Sequence, residues 1–153
     1  MSFALAALLL GIVAGLRAMT APAVLSWAVH LGYLHLEGTP LAFLGFRFSP
    51  WILTLLAVGE LITDQLPSTP SRKVPVQFGA RIAVGAFCGA SVGLAGGAPW
   101  SGLIAGTVGA VAGTLGGASA RTWLAARFGS DRPAALLEDV VAIGGAILVV
   151  AAP

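Results

Sequence analysis

Charge is what this sequence has least of. Only 9% of its 153 residues are charged and 58% are hydrophobic, against roughly 25% charged residues in an average soluble domain. A soluble fold could not cover its surface with so few polar groups. The basic excess is as thin: eight Lys and Arg against six Asp and Glu leave a net charge of +2. These charges are scattered, which excludes a nucleic-acid-binding surface. The one cysteine, Cys88, lies in an apolar stretch, so neither an internal disulfide nor a cysteine-based metal site can be built, and it reads as a small core residue. His30 and His35 have no second metal-ligand pattern beside them. They are expected at the membrane interface, with no metal and no cofactor. No basic segment precedes the apolar residues 3–16, and the apolar run continues past them, so this stretch reads as a first membrane helix and not a signal peptide.

What the chain has in abundance is alanine and glycine, with 21 glycines. Membrane helices attract one another through close packing, which small side chains permit. The expected fold is all-α: one domain, 1–153, forming a polytopic membrane helix bundle of about five transmembrane helices. A span needs about 20 mostly apolar residues. The first run, from Phe3 to Leu34, is too long for one straight span and too short for two. A break is expected at Thr20–Pro22, since proline removes a helix donor and disfavours helical geometry before itself. Beyond it, Ser26, His30 and Tyr33 fall at helical spacing, giving either an amphipathic interfacial helix or the continuation of one kinked span. Further spans are expected at Pro50–Leu66, Phe78–Gly97 and Trp100–Ala126. A last one follows Ser130–Pro133, where Ser130 or Asp131 can cap the helix start and Pro133 suits its first turn.

Gly85, Gly89, Gly93 and Gly97 step along one span, and Gly102, Gly106, Gly109, Gly113 and Gly117 along the next. Such seams serve either packing within the chain or a homo-oligomer. Gly11–Gly15 resembles Gly109–Gly113. With three spans between them the two halves would run oppositely, as in an inverted repeat. Arg72, Lys73, Arg127 and Arg132 mark the cytoplasmic loops by the positive-inside rule, placing the N-terminus inside a bacterial inner membrane and the C-terminus outside. Trp51 and Trp100 would then start spans from the outer face. The proline-rich stretch Leu66–Pro75 reads as a connector carrying orienting charges, or as a lid over the charges near it.

Ionisable residues inside a membrane ask for a reason, each costing about 2.5–3.5 kcal/mol at a helix centre on insertion scales. Glu60 and Asp64 share one helix face. With Arg81, Arg121, Glu138 and Asp139 they converge by topology on one cytoplasmic-side layer. The layer either holds fixed ion pairs or carries an exchangeable proton. Arg17 is separate: it reaches the outer interface if the first helix stops there, or lies mid-membrane as a substrate ligand if the helix continues.

The segments GLRAMTAPA, GELITDQLPSTPSRK and LLEDVVAIGGA, with the glycine-stepped span, resemble a family of small bacterial membrane proteins of unknown function. The resemblance covers most of the chain and implies a shared membrane fold with no assigned activity. The expected function is a small transporter or channel, a homo-oligomer in the lipid bilayer, with Arg17, Glu60, Asp64, Arg81, Arg121, Glu138 and Asp139 as substrate- or ion-binding residues. The alternative is a non-transporting assembly or lipid-binding helper. No nucleophile with a base, no metal cluster and no phosphotransfer signature points to an enzyme.

Overall fold

The computed structural model describes residues 1–66 and 73–152. Regular structure among them is entirely helical: α1 (Phe3–Leu16), α2 (Thr20–His30), a 3₁₀ turn (Ala42–Gly45), α3 (Ser49–Thr63), α4 (Pro75–Ala95), α5 (Pro99–Phe128) and α6 (Asp131–Ala151). Three of these, α4, α5 and α6, are long and apolar enough to cross a membrane, and the chain is a helical membrane bundle.

Of the five expected spans, two are carried by shorter apolar helices, α1 and α3. They hold 14 and 15 residues, which at 1.5 Å per residue is about 21–22 Å, short of the roughly 30 Å hydrocarbon core. Glycine registers show where α1 stops. A Cβ on Gly11 would overlap Gly106, and one on Gly15 would overlap Ala110 and Thr114, so α1 runs parallel to α5 and ends beside its middle. The chain turns at Arg17–Met19, and α2 runs back the way α1 came. Ala28, Tyr33 and Leu34 after the turn line one cavity with Met1 and Phe3 before it. Thus α1 and α2 form a helical hairpin whose tip lies inside the bundle.

The break falls three residues earlier than the Thr20–Pro22 expectation. Pro22 is the third residue of α2, within the first turn, where a missing amide costs nothing and the fixed φ suits a helix. Nor is α2 an interfacial helix. Ser26 is fully buried and donates to the Leu44 carbonyl, while Trp27 stacks edge-on against Trp51 and donates from Nε1 to Thr54 Oγ1 at 3.0 Å. These contacts set α3 antiparallel to α2.

The other helices follow from the glycines. Gly85 meets Ala110 and Gly106, Gly89 meets Gly102, and Gly93 meets Ala98 and Gly102, so α4 and α5 are an antiparallel pair in backbone contact. Gly109 and Gly113 meet Leu8 and Ile12 of α1. The seams are therefore filled within one chain, and the similar segments Gly11–Gly15 and Gly109–Gly113 pack on each other. They run parallel where they touch, which removes the inverted repeat drawn from them. Gly129, at φ +70°, closes α5 in the left-handed region that favours glycine.

In α6, Gly145 approaches Val13 and Asp139 approaches Arg17, so α6 is antiparallel to α1. Both termini consequently lie at one end of the bundle, where Met1, Val149 and Ala152 share a cavity. An N-terminus and C-terminus on opposite faces do not fit this packing. The physical cause is the hairpin: α1 enters the bundle from the end at which α2 leaves it, so the four passages α3, α4, α5 and α6, alternating in direction, bring the chain back to that end. The proline-rich loop with Arg72 lies outside the described residues.

Two outcomes check this arrangement. Gly106→Leu, at a site touching both α1 and α4, should abolish folding or lower the thermal midpoint severely, since overpacking costs about 1–3 kcal/mol even where side chains can yield and here backbone must move. Gly116→Ala, where an added Cβ meets nothing, should be neutral or stabilising by about 0.5–1 kcal/mol. A Gly106→Leu protein as stable as its parent would refute the seam. In intact vesicles, Ser2→Cys and Ala152→Cys should react with an impermeant thiol reagent from the same side and Ser130→Cys from the other; labelling of Ser2→Cys and Ala152→Cys from opposite sides would refute the hairpin.

Candidate functional site at the hairpin tip

A helix that ends inside an apolar bundle strands its last carbonyls, and one that begins there strands its first amides. Both needs are met by charged side chains from other helices. Arg81 of α4, 3% exposed, donates from Nη1 to the Gly15 carbonyl at 3.1 Å and to the Leu16 carbonyl at 2.7 Å. Thr114 of α5 also donates to Gly15 O, at 3.2 Å. At the other side of the turn, Glu60 of α3 accepts from Ala18 N at 2.8 Å through Oε1 and from Met19 N at 2.7 Å through Oε2. A cation thus sits at the negative end of α1 and an anion at the positive end of α2, as the helix dipoles favour. The two neutralise each other, with Arg81 Nη2 3.5 Å from Glu60 Oε1.

Arg17, the residue of the turn itself, is completely buried. Its guanidinium is held between Asp64 of α3, to which Nη1 donates, and Asp139 of α6, whose Oδ1 lies 2.5 Å from Nη2. Asp64 also lies 3.7 Å from Arg81 Nη2, and Gln65 reaches Asp139 Oδ2 at 3.4 Å. Arg17 stands inside the bundle beside the backbone groups that the break frees, and it is the centre of the layer that the sequence assigned to the other six residues.

Arg121 and Glu138 form the rim of that layer. Arg121 Nε and Nη2 grip Asp131 at 2.9 and 2.5 Å, and Nη1 is 3.6 Å from Glu138. Asp131 therefore binds an arginine of α5, and Ser130 occupies the N-cap position without a side-chain cap bond. Counting along the helices, Arg81 is six residues into α4 and Asp139 eight into α6, which puts the layer about 9–12 Å inside the end where both helices begin. Five of the six acidic residues of the chain, all but Glu37, belong to it.

The sequence missed the two amides of the turn, the buried Thr20 hydroxyl, Thr114 and Gln65. Their signal was the pair Leu16-Arg17, a charge at the point where the apolar run first falters. No group of acidic, histidine or cysteine side chains among the described residues is arranged to hold a metal ion. Beyond the hairpin tip, toward the termini, the same helices line a half-open, mostly apolar cavity of about 200 Å³ with Met1, Leu10, Leu25, Tyr33, Val92 and Val149 among others.

The model of one family, described as a domain of unknown function (DUF4126), matches residues 4–153. The chain belongs to this family. No curated protein and no solved structure matches it, so DUF4126 membership brings a fold-wide kinship and no assigned chemistry.

The central ion triad yields a stability prediction. Arg17→Met takes from the half-buried Asp64 and Asp139 the cation they share, and should cost about 3 kcal/mol, the low end of the penalty for breaking a buried pair. Adding Asp64→Asn and Asp139→Asn removes the stranded charges and should restore much of the loss. Thermal unfolding in detergent measures both; a single variant as stable as the parent would show that Arg17 is not the centre of the layer.

Proposed function

We propose that this protein is a small membrane transporter or channel for an ion or small solute, with the hairpin tip as its binding station. The observation that supports this is the interrupted helix inside the bundle, flanked by seven charged side chains. Irregular backbone at membrane depth is tolerated only where protein encloses it or where it lines a polar path, and broken helices meeting charged groups are the common design of transport sites. A purely structural bundle of this size could use unbroken helices and well-packed apolar residues, over which buried ion pairs contribute little.

The carboxylates of the layer are partly exposed. Glu60, Asp64 and Asp139 each keep 13–14% of their side-chain surface exposed while Arg17 keeps none. Toward the termini, Leu10 and Leu25, at most 1% exposed, stand between the tip and the apolar cavity. In this reading they are the barrier on a path along the inside of the α1–α2 hairpin. Lys73, Arg127 and Arg132 lie at the end where α4 and α6 begin, so the positive-inside rule orients that end toward the cytoplasm of a bacterial inner membrane. Both termini then face outward. Because the glycine seams are used up within the chain, a homo-oligomer would form through other faces, such as the exposed side of α3 with Leu55 and Ile62.

Flux in reconstituted vesicles tests the reading. Asp139→Asn keeps the shape of one of the two carboxylates on Arg17 while removing its charge, and Asp64 still pairs with Arg17, so the purified variant should remain monodisperse with flux and its pH dependence changed about tenfold or more. If vesicles containing the parent protein conduct protons, cations and small anions no faster than empty vesicles, the transport reading fails.

A further inference from the structure

We propose that the tip of the hairpin is an exchangeable anion site whose resident occupant is the carboxylate of Glu60, and that a short monocarboxylate takes its place when Glu60 is protonated. This rests on the transport reading and names its substrate class. The cradle consists of the amides of Ala18 and Met19, which bind the two Glu60 oxygens separately at 2.8 and 2.7 Å, with Arg81 Nη2 3.5 Å from the first of them. Two donors spaced for the two oxygens of one planar group, at the positive end of an eleven-residue helix, match a free carboxylate as well as a tethered one.

A second observation points to a ligand at the same place. Thr20, the first residue of α2 and the next after the two donating amides, is 4% exposed, and its hydroxyl makes no hydrogen bond. Arg17, immediately before them, is wholly buried with Nε likewise unbonded. Buried polar atoms are nearly always satisfied. Glu60 fills the cradle and bonds neither atom.

Charge decides what can enter. Arg17 of the turn, Asp64 of α3, Arg81 of α4 and Asp139 of α6 surround Glu60, with Arg121 of α5 and Glu138 of α6 at the rim. Around the tip two arginines oppose Asp64, Asp139 and Glu60. Protonating Glu60 and admitting one monovalent anion leaves that balance unchanged, whereas a dianion adds a charge with no partner, and a buried charge without a partner is strongly disfavoured. The proton bound by Glu60 and the anion that replaces it therefore enter together.

The test uses full-length Glu60→Ala protein in detergent, sodium formate as probe, and a bulky sulfonate buffer at equal ionic strength as control. Glu60→Ala should lower the thermal midpoint, and formate should raise it again with saturation, while the sulfonate does not. Glu60→Gln, which keeps the side-chain volume but sets its own NH₂ against one backbone amide, should be stabilised by formate at neutral pH, where the parent is not; the parent should gain the response as pH falls. If Glu60→Ala does not fold, the Glu60→Gln comparison decides. A formate response equal to that in sulfonate in both variants overturns the anion site. Parent vesicles that carry an ion, with variants blind to formate, leave transport standing and remove this site; a saturable formate response with vesicles no leakier than empty ones removes transport and leaves the site.

Discussion

The whole arrangement depends on one constraint: a peptide chain that stops being helical inside an apolar bundle must find partners for the carbonyls and amides it exposes. Each such group left bare costs several kcal/mol in hydrocarbon. Here the carbonyls of Gly15 and Leu16 take Arg81, and the amides of Ala18 and Met19 take Glu60. Arg81 and Glu60 are themselves ions that could not be buried alone. The break and the charges are thus each other's solvation, and neither would be stable in this place without the other.

Getting Arg81 to α1 requires that α4, α5 and α1 come unusually close, and this is the work of the glycines. Gly106 touches Gly11 on one side and Gly85 and Gly89 on the other, so three backbones meet around a residue with no side chain. In lipid there is no hydrophobic drive between helices, and close backbone approach supplies dispersion contact in its place. The short α1 profits most, because its 14 residues cannot anchor themselves by spanning the membrane. It is held by its flank to α5 and by its end to Arg81.

Composition, span positions for α4 to α6 and the gathering of Glu60, Asp64, Arg81 and Asp139 were legible in the sequence. Long apolar periods and the helix-spacing of charges are local properties. The hairpin was not legible, because hydropathy reports only that a segment is apolar and is silent on whether the chain crosses or turns back. Thr20–Pro22 drew the break toward the proline, although a proline three residues into a helix is compatible with it. That small displacement mattered, since it left Arg17 on the helix and hid its position at the turn. Miscounting α1 and α2 as a crossing then sent Arg17 to the wrong layer and the termini to opposite faces. The repeated GIVAG and GAVAG segments mark two stretches that pack on each other.

A group that closes the fold is usually a poor candidate for one that moves, because releasing it exposes what it covers. Glu60 escapes this conflict only if something of the same charge and shape replaces it at the moment it leaves. The amides of Ala18 and Met19 require two acceptor oxygens and one negative charge, and do not distinguish a side chain from a free anion. Arg81 and Asp64, Asp139 and Arg17 stay paired throughout, so the helices need not part. Exchange at the tip is therefore compatible with a rigid, glycine-sealed bundle, in which the charges of the layer are conserved while the identity of one carboxylate changes.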